Sequence, residues 1–265
     1  MNTNSSSESN RKKNKDESQT FQFGPWSIRS WKSHILESEG VQREKFQQDL
    51  NLPQIPEMVF AENILRIHHE SGCGIEFNAL DALRLVDAFN DPIKVAASEE
   101  WQTARSNCQH IKNVVAPFDW TFTTDYKGTI FEEQPGILRV CPTTQRIDIE
   151  KLKQKEIIHF YEDVLLFEDE LSDNGTSILN VKMRVMPTSF FILLRLFVRV
   201  DQVLIRMNET RFYHEAGTNF ILREFTSREE STKNIPESLH TDPNAVGEHL
   251  KVKKEIFEKL EFVCT

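Results

Sequence analysis

The sequence predicts an α+β fold: a mainly antiparallel β-sheet core built from hairpins, with flanking helices. Three observations carry that prediction. Apolar residues alternate at period two through much of the second half of the chain. An Asn174-Gly175 step separates two such runs, and this pair favours the positive φ that tight hairpin turns require. Helical spacing is confined to short segments around the strand runs, which favours α+β over alternating β and α units.

In chain order, residues 1–20 are Ser, Asn, Lys and Glu without apolar periodicity, and are expected to form a disordered tail. Its Arg11-Lys12-Lys13-Asn14-Lys15 cluster is either a solvated linker or a nuclear address. Residues 21–265 contain no long linker and are taken as one domain. Ala79, Leu83, Val86 and Phe89 have helical spacing behind Asn78 as cap, and Ser98 before Glu99 and Glu100 starts a second short helix carrying Trp101. Trp120, Phe122, Thr124 and Tyr126 alternate with Thr121, Thr123 and Asp125, as in a strand with one aromatic and one polar face. Asp148 caps a helix expected over residues 149–160.

Next come two hairpins. Residues 161–171 and 177–186 flank Ser172-Asp173-Asn174-Gly175, with Leu179, Val181, Met183 and Val185 facing inward. Residues 190–200 and 203–213 meet at Asp201-Gln202, with Leu194, Leu196, Val198 and Val200 on one face and Val203, Ile205 and Met207 sharing another. Residues 227–244 are polar and loop-like. Asp242-Pro243 opens a short helix, and Val252, Ile256 and Leu260 suggest a terminal one.

With 265 residues the chain can bury a substantial core, and its 19 Phe against 3 Tyr and 4 Trp argue that most of it folds. The 41 acidic and 32 basic residues give a net charge of −9, which disfavours nucleic acid and anionic membranes as partners. Cys73, Cys108, Cys141 and Cys264 are widely spaced, and the polar N-terminus lacks a signal-peptide core. Residues 190–200 are too short, and too charged at Arg195 and Arg199, for a membrane helix. The expectation is a soluble intracellular protein in a reducing compartment. The sequons at Asn174 and Asn208 are then chance matches.

Catalytic motifs are sparse, and neither a cofactor nor a metal is expected. His68-His69 is adjacent rather than i, i+4, so on a strand the rings point to opposite faces. Ser71-Gly72-Cys73-Gly74 presents either a nucleophilic thiol or, as favoured, a tight turn. It lacks the Gly-Lys-Ser/Thr of a phosphate loop. The carboxylates Glu162, Asp163, Glu168, Asp169, Glu170 and Asp173 suit paired acid–base work, a hard cation or, as favoured, a solvated hairpin edge. Alternation places Glu162, Glu168 and Glu170 on one face, with Asp163 and Asp169 on the other. A metal-dependent hydrolase using His68, His69 and this hairpin is the alternative from another class.

Charge distribution is more informative than net charge. Between Arg184 and Arg228 there are seven Arg, no Lys and four acidic residues, +3 inside a chain whose remainder is −12. Such a surface captures an extended peptide or a terminal carboxylate, or the arginines pair with the nearby acidic hairpin.

The run Phe118-Asp119-Trp120-Thr121-Phe122-Thr123-Thr124-Asp125-Tyr126-Lys127-Gly128-Thr129 resembles a signature of the TOR signalling pathway regulator family (TIPRL, the Tap-forty-two-interacting proteins). The resemblance extends through Phe23-Gly24-Pro25-Trp26, Gly74-Ile75-Glu76-Phe77-Asn78-Ala79, Leu165-Leu166-Phe167-Glu168-Asp169-Glu170-Leu171 and Leu204-Ile205-Arg206-Met207-Asn208. It covers most of residues 21–262. It implies a single TIPRL-like regulatory domain, not an enzyme, that binds type 2A-like phosphatase catalytic subunits and receives their C-terminal tail in a cleft. Some members act through the Tap-forty-two/alpha-four protein. The implied location is cytoplasmic, with the nucleus added if the basic tail is an address.

By the same resemblance, Asp81, Ile147, Met207, Glu209 and Phe225 occupy tail-binding positions. Met207 and Ile147 would line an apolar pocket, unless they simply pack in the core. Asp81 and Glu209 would accept peptide N–H groups or hold arginines in place. Glu209 stands where the family usually has Asp, and Phe225 stands where Tyr is expected, without that hydroxyl donor.

Overall fold

The computed structural model describes residues 17–50, 52, 54–86 and 121–262. A first sheet contains β1 (Glu17–Phe23), β2 (Trp26–Lys32), β4 (Ile64–His69), β5 (Cys73–Asn78) and β6 (Thr129–Glu132), in the order β1-β2-β4-β5-β6. A second contains β3 (Met58–Val59), β7 (Leu138–Pro142), β8 (Phe160–Asp169), β9 (Gly175–Val185), β10 (Ser189–Val200), β11 (Leu204–Glu215), β12 (Phe220–Ser231) and β13 (Lys251–Phe262). Its order is β3-β8-β9-β10-β11-β12-β13-β7. The strand pairings in both sheets are antiparallel. Helices are short: α1 (Val41–Gln48), α2 (Ala79–Leu83), α3 (Ile149–Lys153) and α4 (Pro243–Val246). The predicted α+β class, with antiparallel sheet dominant, is what the chain adopts.

The two sheets enclose one core. Trp26, Ile67, Ile75 and Phe77 from the first meet Phe190, Leu194, Val198 and Phe212 from the second. The sequence-predicted faces Leu179/Val181/Met183/Val185 and Leu194/Leu196/Val198/Val200 both belong to it. We call this the inner face of the eight-stranded sheet and the opposite one its outer face. Asn78, Asp148 and Asp242 cap α2, α3 and α4 through side-chain oxygens, as their positions predict. The helix proposed at Ser98, the continuation of α2 to Phe89, and Trp120 lie outside the described residues.

Five expectations are corrected. Residues 17–20, assigned to the tail, belong to β1, where Glu17 pairs with Lys32. The 149–160 helix ends at Lys153, because β8 takes over at Phe160. The terminal helix is the long strand β13. Its marker residues are four apart, and an even spacing also satisfies a period of two.

Residues 121–126 are not a strand. Phe122 has φ 54°, and Thr121, Thr123 and Thr124 are buried rather than solvated. Side chains satisfy this backbone instead of a ladder: Ser177 Oγ donates to Thr121 O (2.7 Å) and Asn208 Nδ2 to Thr124 O (2.8 Å).

The acidic hairpin is a solvated edge only in part: Glu170 and Asp173 are exposed, while two of its carboxylates are not. A bulge between Leu165 and Phe167 reverses the alternation, so that Glu162 and Asp169 are both buried. Glu162 pairs with Lys32 and accepts from Ser30 Oγ (2.6 Å). Asp169 accepts from the amides of Glu57 and Leu171, while burial raises its carboxyl pKa.

Candidate functional site

The register of β10, β11 and β12 builds the outer face. Glu209 lies between Arg195 and Thr226, and Met207 between Phe197 and Arg228. Glu209 is only 2% exposed yet meets three guanidinium groups: Arg195 (2.7 Å), Arg211 (2.8 Å) and Arg228 (3.3 Å). Burial pushes its carboxyl pKa up, but the three arginines more than offset this and hold it below the ordinary value. Glu209 is shared by three guanidiniums, and a second carboxylate, Glu224, stands directly opposite Arg211 on β12. Arg195 extends from there to Asn244 Oδ1 (2.8 Å), just inside α4.

Apolar clusters flank this charge centre. On one side Met207 packs with Phe197, Ile205, Ile235, Val246 and Leu250. On the other, Ile147 packs with Tyr213 and Leu222, and its amide donates to Glu224 (2.7 Å). Three of the five predicted positions, Ile147, Met207 and Glu209, therefore share one sheet face. Both apolar members are also ordinary buried packing residues. The arrangement suits an extended peptide with an anionic group between apolar side chains.

Asp81 and Phe225 sit on the other side of the sheet. Phe225 pairs with Thr210, and alternation turns it to the inner face, where Lys127 and Lys254 approach its ring at 5.7 and 5.8 Å. Asp81 lies at the start of α2 and accepts from Thr129 Oγ1 (2.6 Å), Asn78 Nδ2 (3.0 Å) and Arg84 (3.0 Å). Burial raises its carboxyl pKa, and these donors bring the balance below the ordinary Asp value. Thr129 also meets the Tyr126 hydroxyl (2.9 Å), which donates to Glu76 O. Asp81 and Arg223 line a surface groove of about 470 Å³ together with Tyr126 and Lys127.

The residues of the hydrolase alternative do not converge. His68 stacks on Phe131 and reaches Glu133 (3.3 Å), whereas His69 stacks on Phe262 on the opposite face of β4. Cys73 follows the turn at Gly72 (φ 87°) as the first residue of β5, and burial raises its thiol pKa. That supports the tight-turn reading of the Ser-Gly-Cys-Gly run.

The Arg-rich stretch does not pair with the 162–173 hairpin. Besides the three at Glu209, Arg199 meets Asp201, Arg206 meets Glu229 and Arg223 meets Glu258. Among the described residues, Arg184 has no carboxylate partner; it donates to Leu152 O (2.8 Å). Sequence reasoning did not single out Arg195, Arg211 and Arg228. The Lys-free run was a signal for them, but only strand register identifies which three share a carboxylate.

Comparison with known proteins places these features. The model of the TIP41-like family matches residues 58–236. The chain is 54% identical over 245 residues to the TIP41-like protein of Homo sapiens, covering 91% of this chain and 89% of that one. It is 34% identical over 273 residues to the type 2A phosphatase activator TIP41 of Saccharomyces cerevisiae, covering 93% and 76%. It is 32% identical over 252 residues to the corresponding activator of Schizosaccharomyces pombe, covering 91% and 98%.

Proposed function

The chain belongs to the TIP41-like family, and from that premise we propose that it regulates type 2A-like protein phosphatases by binding their catalytic subunits without catalysing a reaction itself. The observation that carries this reading is chain-long similarity to two yeast proteins named type 2A phosphatase activators. The sheet face at Glu209 supports it physically. An extended C-terminal tail laid across β10–β12 meets Arg195, Arg211 and Arg228 between two apolar clusters. Guanidinium forks suit a carboxylate, and flanking apolar groups suit the side chains beside it.

In this reading the protein acts in TOR signalling, in the cytoplasm and, if the basic tail is an address, in the nucleus. Contact with the phosphatase is direct or bridged by the Tap-forty-two/alpha-four protein. Asp81 lies across the sheet from Glu209, so its part is to meet the body of the catalytic subunit or to steady the Asp81–Thr129–Tyr126 network.

Calorimetric titration with a type 2A catalytic subunit and with a peptide of its C-terminal tail tests the reading. Arg211→Glu, on a partly exposed arginine, is expected to weaken tail binding by at least about tenfold, since a charge reversal at a peptide carboxylate is costly. Asp81→Leu and Met207→Ala report on the other proposed positions, with folding checked by circular dichroism. Unchanged tail affinity in all three folded variants removes the proposed cleft.

A further inference from the structure

We propose that the cavity between loop residues 154–158 and the outer face of β9–β11 binds a phosphate monoester carried on an apolar body. The cavity measures about 240 Å³, small for a whole cofactor and suited to one charged group with part of its attachment. It shares Tyr213 and Leu152 with the Ile147 cluster, and none of its lining residues is at the Glu209 centre.

Two polar groups that line it have unused donors. Arg184 Nε is buried with no hydrogen bond, and the buried Tyr213 hydroxyl has the Lys151 ammonium beside it, a group that can only donate and so leaves the tyrosine O–H without an acceptor. Strand register explains their placement: Arg184 pairs with Phe191 on β10, and Phe191 with Tyr213 on β11. The Arg184 guanidinium is held by Leu152 O (2.8 Å) and lies 5.4 Å from the Phe191 ring, which leaves its Nε–H unused. A buried donor without an acceptor is costly, and a bound anion relieves that cost for both groups.

The surrounding charge selects the anion. Arg184, Lys151 and Lys155 line the cavity against one carboxylate, Glu156. Glu215 engages Lys151 at 2.6 Å, and counting it still leaves the site positive. A phosphate monoester carries close to two negative charges and three acceptor oxygens, so it matches this donor set better than a carboxylate does. Leu152, Ile158 and Met186 supply apolar lining for the body that carries the phosphate. A phosphorylated side chain and a free phosphate share this chemistry, and the apolar lining distinguishes them.

The inference does not depend on the phosphatase reading, and its test uses this protein alone. Titrate the full chain with inorganic phosphate, phenyl phosphate and benzoate at constant ionic strength, following heat or amide chemical shifts. Phenyl phosphate is expected to bind at least about tenfold more tightly than inorganic phosphate or benzoate. Tyr213→Phe is expected to weaken phenyl phosphate about fivefold with little change in the melting temperature of the unliganded protein, because the deleted O–H had no acceptor and the neighbouring Lys151 keeps Glu215. Arg184→Gln is expected to abolish binding.

Equal binding by wild type and both variants overturns the proposal, as does no binding of phenyl phosphate to wild type at millimolar concentration. Inorganic phosphate binding as tightly as phenyl phosphate overturns the apolar body, and benzoate doing so overturns the phosphate. If Arg184→Gln does not fold, the Tyr213→Phe comparison decides alone.

Discussion

Glu209 carries a charge that the surrounding chain cannot easily lose. It is buried, three arginines converge on it, and those arginines would be left uncompensated without it. Glu209→Gln is expected to destabilise the fold by about 3–5 kcal/mol, measured by urea denaturation. Its folded pKa lies below the ordinary 4.5, so this contribution is present above pH 4.5 and is lost as the pH falls through the lower folded value.

His214 shows the opposite charge preference. Its Nε2 accepts from the Trp26 indole N–H (3.0 Å), while its Nδ1 meets Phe220 O (2.8 Å). Those roles require the neutral ring with its proton on Nδ1. Burial lowers its pKa from 6.5, and His69, packed on the same indole, is lowered by burial too. Both histidines favour the neutral form in the fold, so stability is complete above pH 6.5 and falls as the pH drops below that value. Urea midpoints read from Trp fluorescence at pH 7.5 and 5.5 should show this loss, and His214→Gln should reduce the difference between them.

At the level of elements, hairpins were the most legible part of the chain. Both predicted pairs form, because alternation is a local property, but Asn174-Gly175 does not make the turn as expected. The turn at Asp201-Gln202 closes over residues 201–203, with Gln202 taking φ 64°. At the other turn Leu171, Ser172 and Asp173 take positive φ, and Gly175 (φ 149°) opens β9. A Cβ on Gly175 would lie 1.9 Å from Arg199 O. Gly175→Ala should therefore cost more than about 1 kcal/mol and lower the melting temperature measured by circular dichroism.

Elements whose local pattern is ambiguous were misread. The spacing of Val252, Ile256 and Leu260 fits helix and strand alike, and pairing with β12 decides it. The bulge in β8 moved Asp169 to the face of Glu162, which no alternation rule anticipates. The strands of the first sheet were not delineated from sequence. β5 is buried on both faces from Cys73 to Ile75, and in β4 the apolar Ile64 sits on the less buried face, which weakens alternation as a signal.

Across the whole molecule, one continuous core joins the two sheets, with Phe77 of β5 packed edge-on against Phe212 of β11 (5.4 Å between ring centroids). Unfolding should therefore be a single cooperative transition, with fluorescence and far-ultraviolet circular dichroism giving coincident curves. Phe212→Ala should lower both together by about 3–5 kcal/mol.

The sequence by itself determined the α+β class, the two central hairpins, the helix caps, the family and the presence of a Lys-free, arginine-rich stretch. Each of these depends on residue type and near-neighbour spacing. Tertiary structure alone decided which arginines share Glu209, and that Asp81 and Phe225 lie across the sheet from Ile147, Met207 and Glu209. It also decided that Arg184 and Tyr213 face one cavity with unused donors. Those outcomes depend on register between strands distant in sequence, where a shift of one residue turns a side chain to the opposite face.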